Sequence, residues 1–310
     1  MDRLGDIRLF VEAAELGSLS AAGRKLNLTP AAASARLAKL EAQVSTRLFE
    51  RSTRRLRLTD EGRLYLNCCR QALQALDDAD AMLQEGRNVV SGKVRLSSTA
   101  DFGRNQLLDW LDEFNARYPD VTFSVTASDS SSNLWQDEID LAIRFAAPPD
   151  GALIARPLAA NRRVLCASPA FVDKYGTPKD PHDLARFPCN VITVASGPIN
   201  VWRFTRGGDT QTYTVPLANA HETNDGGFTR EWTIRGHGIA LKSIWDVARD
   251  VRAGRLKVLL PEWRHQDAPL HAIHHSKRYM APRVRVLLDF LVERFAQEEK
   301  ALEDLLNACR

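Results

Sequence analysis

The sequence predicts an α+β multidomain chain: a small helix–turn–helix module closed by a hairpin, one long helix, and a larger α/β part. Three observations carry this reading. Residues 1–59 hold three short helical patterns and two strand-like segments. Residues 60–86 hold one uninterrupted helical pattern. From Gly92 onward, strand and helix patterns alternate. The 310 residues, 44% apolar and 26% charged, are enough for more than one real core.

In the first segment, Ile7, Phe10, Val11 and Ala14 are spaced i, i+3, i+4, i+7, which predicts an amphipathic helix. Gly17 ends it, and Ser18 or Ser20 caps the next. The second helix is expected to bury Leu19, Ala22 and Leu26, and Asn27 suits the left-handed residue of a tight turn. Thr29 is an N-cap candidate with Pro30 at the first helical position, and Ala33, Leu37, Leu40 and Val44 form the buried stripe of the third helix. The outer face of that helix is nearly bare: Pro30, Ala31, Ser34 and Ala35, with Arg36 and Lys39 farther along. A bare face suits close approach to a flat surface such as the floor of a DNA groove, or tight packing in a helical bundle.

Leu56 and Leu58 alternate with Arg55, Arg57 and Thr59, as in a half-buried strand, with Leu48-Phe49 as the returning partner. The tip between them, Arg51, Ser52, Thr53, Arg54 and Arg55, is basic and hydroxyl-rich, a composition that suits phosphate or minor-groove contact. Charge agrees. The chain's net +3 hides an asymmetry: residues 1–60 hold eleven Lys/Arg against seven Asp/Glu, whereas the remainder is almost balanced. Such a basic block attracts polyanions through long-range field and counterion release.

The long helix carries Tyr65, Cys69, Ala72, Leu76, Ala79 and Leu83 at steps of 4, 3, 4, 3, 4, a heptad seam suited to pairing with a second copy. The plainer alternative is a helix lying on its own domain. Residues 60–91 thus read as a dimerisation helix and hinge. Beyond it, strands are expected at KVRLSS, VTFSVTA, LAIRF, RVLCAS, VITVA, TYTVP, GIALKS, LKVLL and LHAIHH. Helices are expected at Phe102–Arg117 and near Asn133–Glu138, Pro169–Tyr175, Gly226–Arg235, Ile244–Ala253 and Pro282–Gln297. This alternation argues for largely parallel sheets, with enough chain for two lobes.

The residues now in view resemble the LysR-type transcriptional regulators over nearly the whole chain. The stretch DIRLFVEAAELGSLSAAGRKLNLTPAAASARLAKLEAQVSTRLFERSTRRLRLTDEG carries the strongest likeness. LAIRFAAPPD, RRVLCASPAFVDKYGTP, DLARF, GHGIALKS and DVRAGRLKVLLPEW look like the family's effector domain, most like the branch with regulators of malate and tartrate metabolism. The resemblance implies a winged helix–turn–helix at 1–59 and a subunit-pairing helix at 60–91. It implies an effector domain at 92–310 resembling type 2 periplasmic binding proteins, with lobe I about 92–161 and 267–300 and lobe II about 162–266. It implies promoter DNA, RNA polymerase, a small organic acid and further copies of the chain, as homodimer or homotetramer, as partners. One departure stands out. The family often places Gln-Pro at the start of the recognition helix and Arg after its serine, where this chain has Pro30, Ala31 and Ala35. Losing those donors shifts base reading toward Ser34, Arg36, alanine methyls and DNA shape.

Ligands of open α/β sheets lie at strand C-terminal ends and helix N-termini. That places the effector candidates at Ser98, Thr99 and Asp101 after the first strand, and at Ser128 and Ser130 after the second. Arg144 and Phe145 follow in LAIRF, then Val194, Thr223, Asn224, Lys242 and Ser243. Arg144 suits a bidentate carboxylate anchor or a structural salt bridge.

Other functions fit poorly. The apolar runs are too short to span a bilayer, and MDRLGDIRLF lacks the apolar core of a signal peptide. Five scattered cysteines read as free thiols in a reducing cytoplasm. His271, His274 and His275 suggest a metal, yet on a strand the last two point to opposite faces. GxSxG, HExxH, P-loop and GxGxxG patterns are missing from fitting places, so neither an enzyme nor a cofactor is expected. The remaining alternative is a constitutive DNA-binding regulator or architectural protein without an effector.

Overall fold

A computed structural model describes residues 2–50, 56–84, 90–129, 139–145, 153–275 and 280–309. The chain divides into two compact units, Met1–Asn88 and Val89–Arg310.

The first unit packs helices α1 (Arg3–Leu16), α2 (Leu19–Lys25) and α3 (Pro30–Gln43) against the start of α4 (Asp60–Gln84). Local signals set the boundaries. Gly17 ends α1 in the left-handed conformation, and the Ser18 hydroxyl accepts from the Ala21 N–H. Asn27 takes φ 56° in the turn, and the Thr29 hydroxyl accepts from the Ala32 N–H, with Pro30 opening α3. The core is Leu9, Phe10, Val11, Ala13, Ala22, Ala33, Leu37, Leu40, Leu48, Phe49, Leu66 and Cys69. On α1 the expected Phe10 and Val11 are buried and Ile7 and Ala14 half-buried against that core, and Leu9 and Ala13 widen the packed face beyond the one the spacing suggests. The expected hairpin appears as one antiparallel bridge, Phe49 to Leu58. Gly62 in the first turn of α4 lies so close to the Leu48 carbonyl that a Cβ would fall 2.0 Å from the oxygen, which fixes glycine there.

The long helix is real, but its seam is divided. The Tyr65 ring lies 5.6 Å from that of Phe10, tilted by 44°, and Cys69 is buried in the module's core. The expectation that these two pair subunits is therefore corrected: the first turns of α4 lie on their own domain. Ala72, Leu76 and Ala79 are exposed. The side chain of Leu83 lies outside the described residues.

The second unit opens with β1 (Gly92–Ser98). A helix follows in three pieces: α5 (Ala100–Phe102), a π-helical turn at Gly103–Leu107, and α6 (Leu108–Arg117). Next come β2 (Val121–Ala127), β3 (Leu141–Phe145), β4 (Leu153–Ala159), β5 (Arg163–Ala167), α7 (Pro169–Tyr175) and β6 (Cys189–Val194). Then come β7 (Gly197–Pro198), β8 (Val201–Arg206), β9 (Asp209–Thr214), β10 (His221–Thr223), α8 (Gly226–Ile234) and β11 (Ile239–Ser243). α9 (Ile244–Arg252), β12 (Lys257–Leu259), β13 (Arg264–His265), β14 (Leu270–His275) and α10 (Pro282–Ala308) complete the unit. The expected helix near Asn133–Glu138 lies outside the described residues.

Two main sheets define two lobes, ordered β2-β1-β3-β14-β4 and β10-β6-β11-β5-β12; a small third sheet is β13-β8-β9. Neither main sheet is largely parallel, contrary to expectation. β1 pairs with β2 and β3 in parallel, but β14 runs antiparallel to β3 and β4. β6 pairs with β10 and β11 in parallel, but β5 runs antiparallel to β11 and β12. β4 escapes the strand pattern because Arg156 and Pro157 interrupt it, and as an edge strand it tolerates the proline.

The lobes do not own separate halves of sequence. Along β5, Val164 and Cys166 face the first core while Leu165 and Ala167 face the second. α9, which follows a second-lobe strand, sends Trp245 into the first core, 5.0 Å from Phe295 of α10; Phe295 also lies 4.8 Å from Trp110. Truncating Phe295 to alanine is expected to cost about 3–5 kcal/mol. The cysteines are all free thiols.

Candidate functional site

Two places are candidates for function, one in each unit. In the first, Thr29, Pro30, Ala31, Ser34 and Ala35 are all exposed on α3, opposite buried Ala33, Leu37 and Leu40. The bare face is thus a free surface of this module and not a packing seam within it. Arg36 and Lys39 are less available than their positions suggest. The Arg36 guanidinium lies 3.3 Å from Asp2 and 3.7 Å from Asp6, and the Lys39 ammonium 3.6 Å from Asp6, itself buried on α1. Arg51, Ser52, Thr53, Arg54 and Arg55 lie outside the described residues.

The second place lies where the two lobes meet in the larger unit. β1 delivers the chain to Thr99, the N-cap residue of the helix starting at Ala100; its hydroxyl makes no capping bond among the described residues. Asp101 in the next turn is buried and accepts from Lys242 Nζ at 2.6 Å. Lys242 stands at the end of β11 in the other lobe. It also donates to the Gly226 carbonyl at 2.9 Å and sits 3.3 Å from Asp246. Burial alone would lower its pKa, but Asp246 and Asp101 together outweigh that and hold it above the ordinary value. Burial, with repulsion from Asp101, pushes the Asp246 carboxyl up to about 7 against the pull of Lys242. Arg144, at the end of β3, is also buried. It donates to the Ser97 hydroxyl at 2.6 Å and to the Ile143 carbonyl at 3.1 Å. Burial lowers its pKa to about 10, against the pull of Asp129.

Asp129 joins the lobes. One carboxylate oxygen accepts from the Ala100 N–H at 3.1 Å, the other from the Gly226 N–H at 2.7 Å. Ala100 opens the first lobe's helix and Gly226 opens α8 of the second, so a single carboxylate is held by two helix N-termini.

Sequence reasoning named Ser128 and Ser130 but passed over Asp129 between them. Ser128 follows β2, with its N–H on the Ser98 carbonyl; Ser130 lies outside the described residues. Gly226 and Asp246 were also missed. Asp101 and Lys242 do meet, and Asp129 binds the backbone beside them at Ala100 and Gly226, with its charge felt by both Lys242 and Arg144. Phe145 is half-buried beside Arg144. Thr223 accepts from the Asp225 N–H, and Asn224 is exposed just before α8. Val194 pairs with Gly197 in a short hairpin. Two expectations are corrected. The Ser98 hydroxyl is fully buried and bonds to the Thr99 carbonyl, and that of Ser243 accepts from Trp245 and donates to Asn161. Both hydroxyls serve the fold. Among the described residues no helix is long and apolar enough to cross a membrane, and no three His, Cys, Asp or Glu side chains gather to hold a metal.

Comparison with known proteins matches both units. Residues 4–63 match the bacterial regulatory helix-turn-helix protein family, lysR family, and residues 87–296 match the LysR substrate binding domain. The chain is 34% identical over 296 residues to the HTH-type transcriptional regulator DmlR of Escherichia coli (strain K12), covering 95% of each chain. It is 30% identical over 289 residues to the HTH-type transcriptional activator TtdR of the same strain, covering 92% of this chain and 91% of the other. Among solved structures it resembles CrgA, a LysR-type transcriptional regulator from Neisseria meningitidis, with TM-score 0.61 and 28% identity over 94% of this chain and 98% of that one. These matches span both units: the chain belongs to the LysR family of DNA-binding transcriptional regulators with an effector-binding domain, a family of regulators and not of enzymes.

Proposed function

We propose that a small organic acid, bound between the two lobes, modulates how this regulator binds promoter DNA. The observation that carries the proposal is the convergence of two helix N-termini, at Ala100 and Gly226, with the buried cations Arg144 and Lys242. Backbone N–H donors, helix dipoles and buried cations together favour a carboxylate. In the proposal Thr99, Arg144 and Lys242 recognise the acid. On the DNA side, Ser34 and the exposed methyls of Ala31 and Ala35 read the major groove, and the basic residues Arg51–Arg55 contact the backbone. The exposed half of α4, through Ala72, Leu76 and Ala79, pairs two copies. Tetramer formation, contact with RNA polymerase and a cytoplasmic location follow in the same reading.

Footprinting of the full chain on the DNA upstream of its own gene, with and without succinate, malate and tartrate, tests this. Protection that shortens or shifts with one acid supports the proposal. Protection indifferent to every acid refutes the acid effector and leaves DNA binding intact. A second reading, a regulator that needs no effector, is favoured by one observation: the seat between the lobes already holds a carboxylate of the chain itself.

A further inference from the structure

The carboxylate of Asp129 takes one N–H from each lobe, at 3.1 Å and 2.7 Å. The backbone is shaped around it. A Cβ on Gly226 would lie 3.2 Å from Lys242 Nζ, a tight contact, and 3.4 Å from the Asp129 oxygen, an ordinary one, so the glycine eases the approach of the ammonium. A separate observation points into the same place. Arg144 is 7% exposed, its charge feels Asp129, and its Nε has no hydrogen-bond partner among the described residues. A buried guanidinium N–H left unbonded is costly unless something else meets it. The junction therefore combines a filled position, two N–H groups on Asp129, with donors that lack a partner among the described residues: Arg144 Nε, and the Thr99 hydroxyl, which makes no capping bond.

We infer that Asp129 is a resident carboxylate that sets effector specificity: it occupies the anion seat between the lobes, and an effector carboxylate takes that seat only by displacing it. The inference rests on the acid-effector reading above. Its chemistry follows from the exchange. One carboxylate replaces another on the same two donors, so the swap itself gains little. Asp129 also competes from within the chain, at an effective concentration on the order of mM or more. A simple monocarboxylate that only reproduces Asp129 is a poor effector. An acid with a second polar group, a hydroxyl or a second carboxylate able to meet Arg144 Nε and the Thr99 hydroxyl, gains what the resident side chain does not supply. Asp129 thereby selects hydroxy acids and dicarboxylates over simple acids of similar size.

Chemical rescue tests this without knowledge of the natural effector. Asp129→Ala deletes the equivalent of a formate ion. The melting temperatures of full-length wild type, Asp129→Ala and Asp129→Asn are measured in sodium formate against sodium chloride of equal ionic strength. Formate is expected to raise the Asp129→Ala value and leave the other two unmoved, since asparagine still fills the seat. Malate is expected to bind Asp129→Ala at least about tenfold more tightly than wild type, because its competitor is gone. Formate that moves all three proteins alike, or none, overturns the inference. Asp129→Ser serves the same comparison if the alanine variant does not fold. The two readings fail separately. A wild-type footprint that answers an acid, with a flat formate response, removes Asp129 and keeps the acid effector. A formate response limited to Asp129→Ala, with a footprint blind to acids, keeps the resident carboxylate and removes the acid effector.

Discussion

Lys242→Met is the sharpest test of the buried charges at the lobe junction. Lys242 is 6% exposed and holds Asp101 at 2.6 Å and Asp246 at 3.3 Å. At an effective dielectric near 20, each ion pair is worth ~5–6 kcal/mol of gross attraction. Desolvation of three charged groups takes back most of it, so the net value of the cluster is small. The substitution is not small. Methionine fills the stem's volume but leaves the Asp101 carboxylate, with the Asp246 carboxyl beside it, buried without their shared cation, and breaking such a pair from one side costs about 3–5 kcal/mol. The assay is urea unfolding of the full chain followed by tryptophan fluorescence. All six tryptophans lie in the second unit, so the signal reports that unit alone. The double variant Asp101→Asn, Lys242→Met removes one stranded charge and is expected to recover at least half the loss. A single-variant loss under about 1 kcal/mol, or no recovery in the double variant, refutes the claim that the ammonium holds these carboxylates in the junction.

Three further outcomes follow from other parts of the structure. Asp246→Asn tests pH linkage. The folded chain holds the Asp246 proton up to about 7, above the ordinary carboxyl range. The stability this contributes is complete below the unfolded carboxyl pKa and is lost as pH rises through about 7. The amide variant, which cannot ionise, should therefore show a flatter fall in stability between about pH 4 and 7, and an unchanged slope refutes the assignment. Leu76→Glu, at an exposed seam position of α4, should reduce the mass seen by light scattering; a mass equal to wild type moves the interface elsewhere. Ser34→Ala should change discrimination among operator variants by ~1–3 kcal/mol while leaving non-specific affinity nearly constant; equal losses on all DNA remove Ser34 from base reading.

What was legible in the sequence was local. Gly17, Ser18, Asn27, Thr29 and Pro30 announce helix ends through backbone chemistry confined to a few residues, and each acts as expected. The apolar stripe of α3 follows from periodicity alone. The heptad steps of α4 also mark a real stripe, but periodicity cannot say what a stripe lies against. Tyr65 and Cys69 face Phe10 and its neighbours in the same module. Asp129 was illegible for a stronger reason. Its role depends on the N–H groups of Ala100 and Gly226, which are 29 and 97 residues away. In sequence it is one polar residue in a run of serines. The serines drew attention as possible ligands, yet Ser98 and Ser243 spend their hydroxyls on nearby backbone and Asn161.

The ion pairs of the first unit sharpen the reading of its bare helix face. Were Arg36 and Lys39 free of acidic partners, α3 would bring its own positive charge into a groove. Instead both cations lie within 4 Å of buried Asp6, with Asp2 also on Arg36. The exposed N-terminal face of α3 is left neutral, built from a threonine, a proline, alanines and one serine. Phosphate attraction must then come from elsewhere, since neutral residues release no counterions. The other basic residues between 24 and 57, Arg24, Lys25, Arg47, Arg57 and the arginines of the 51–55 tip, flank the helix in sequence and do not lie on it. Affinity and selectivity are thus assigned to different residues. Substituting tip arginines should lower binding to all DNA and flatten its salt dependence by about one unit of log–log slope for each phosphate no longer neutralised. Changing the α3 face should alter which sequence is preferred and leave the salt slope unchanged. A salt slope that falls on Ser34→Ala would break this division.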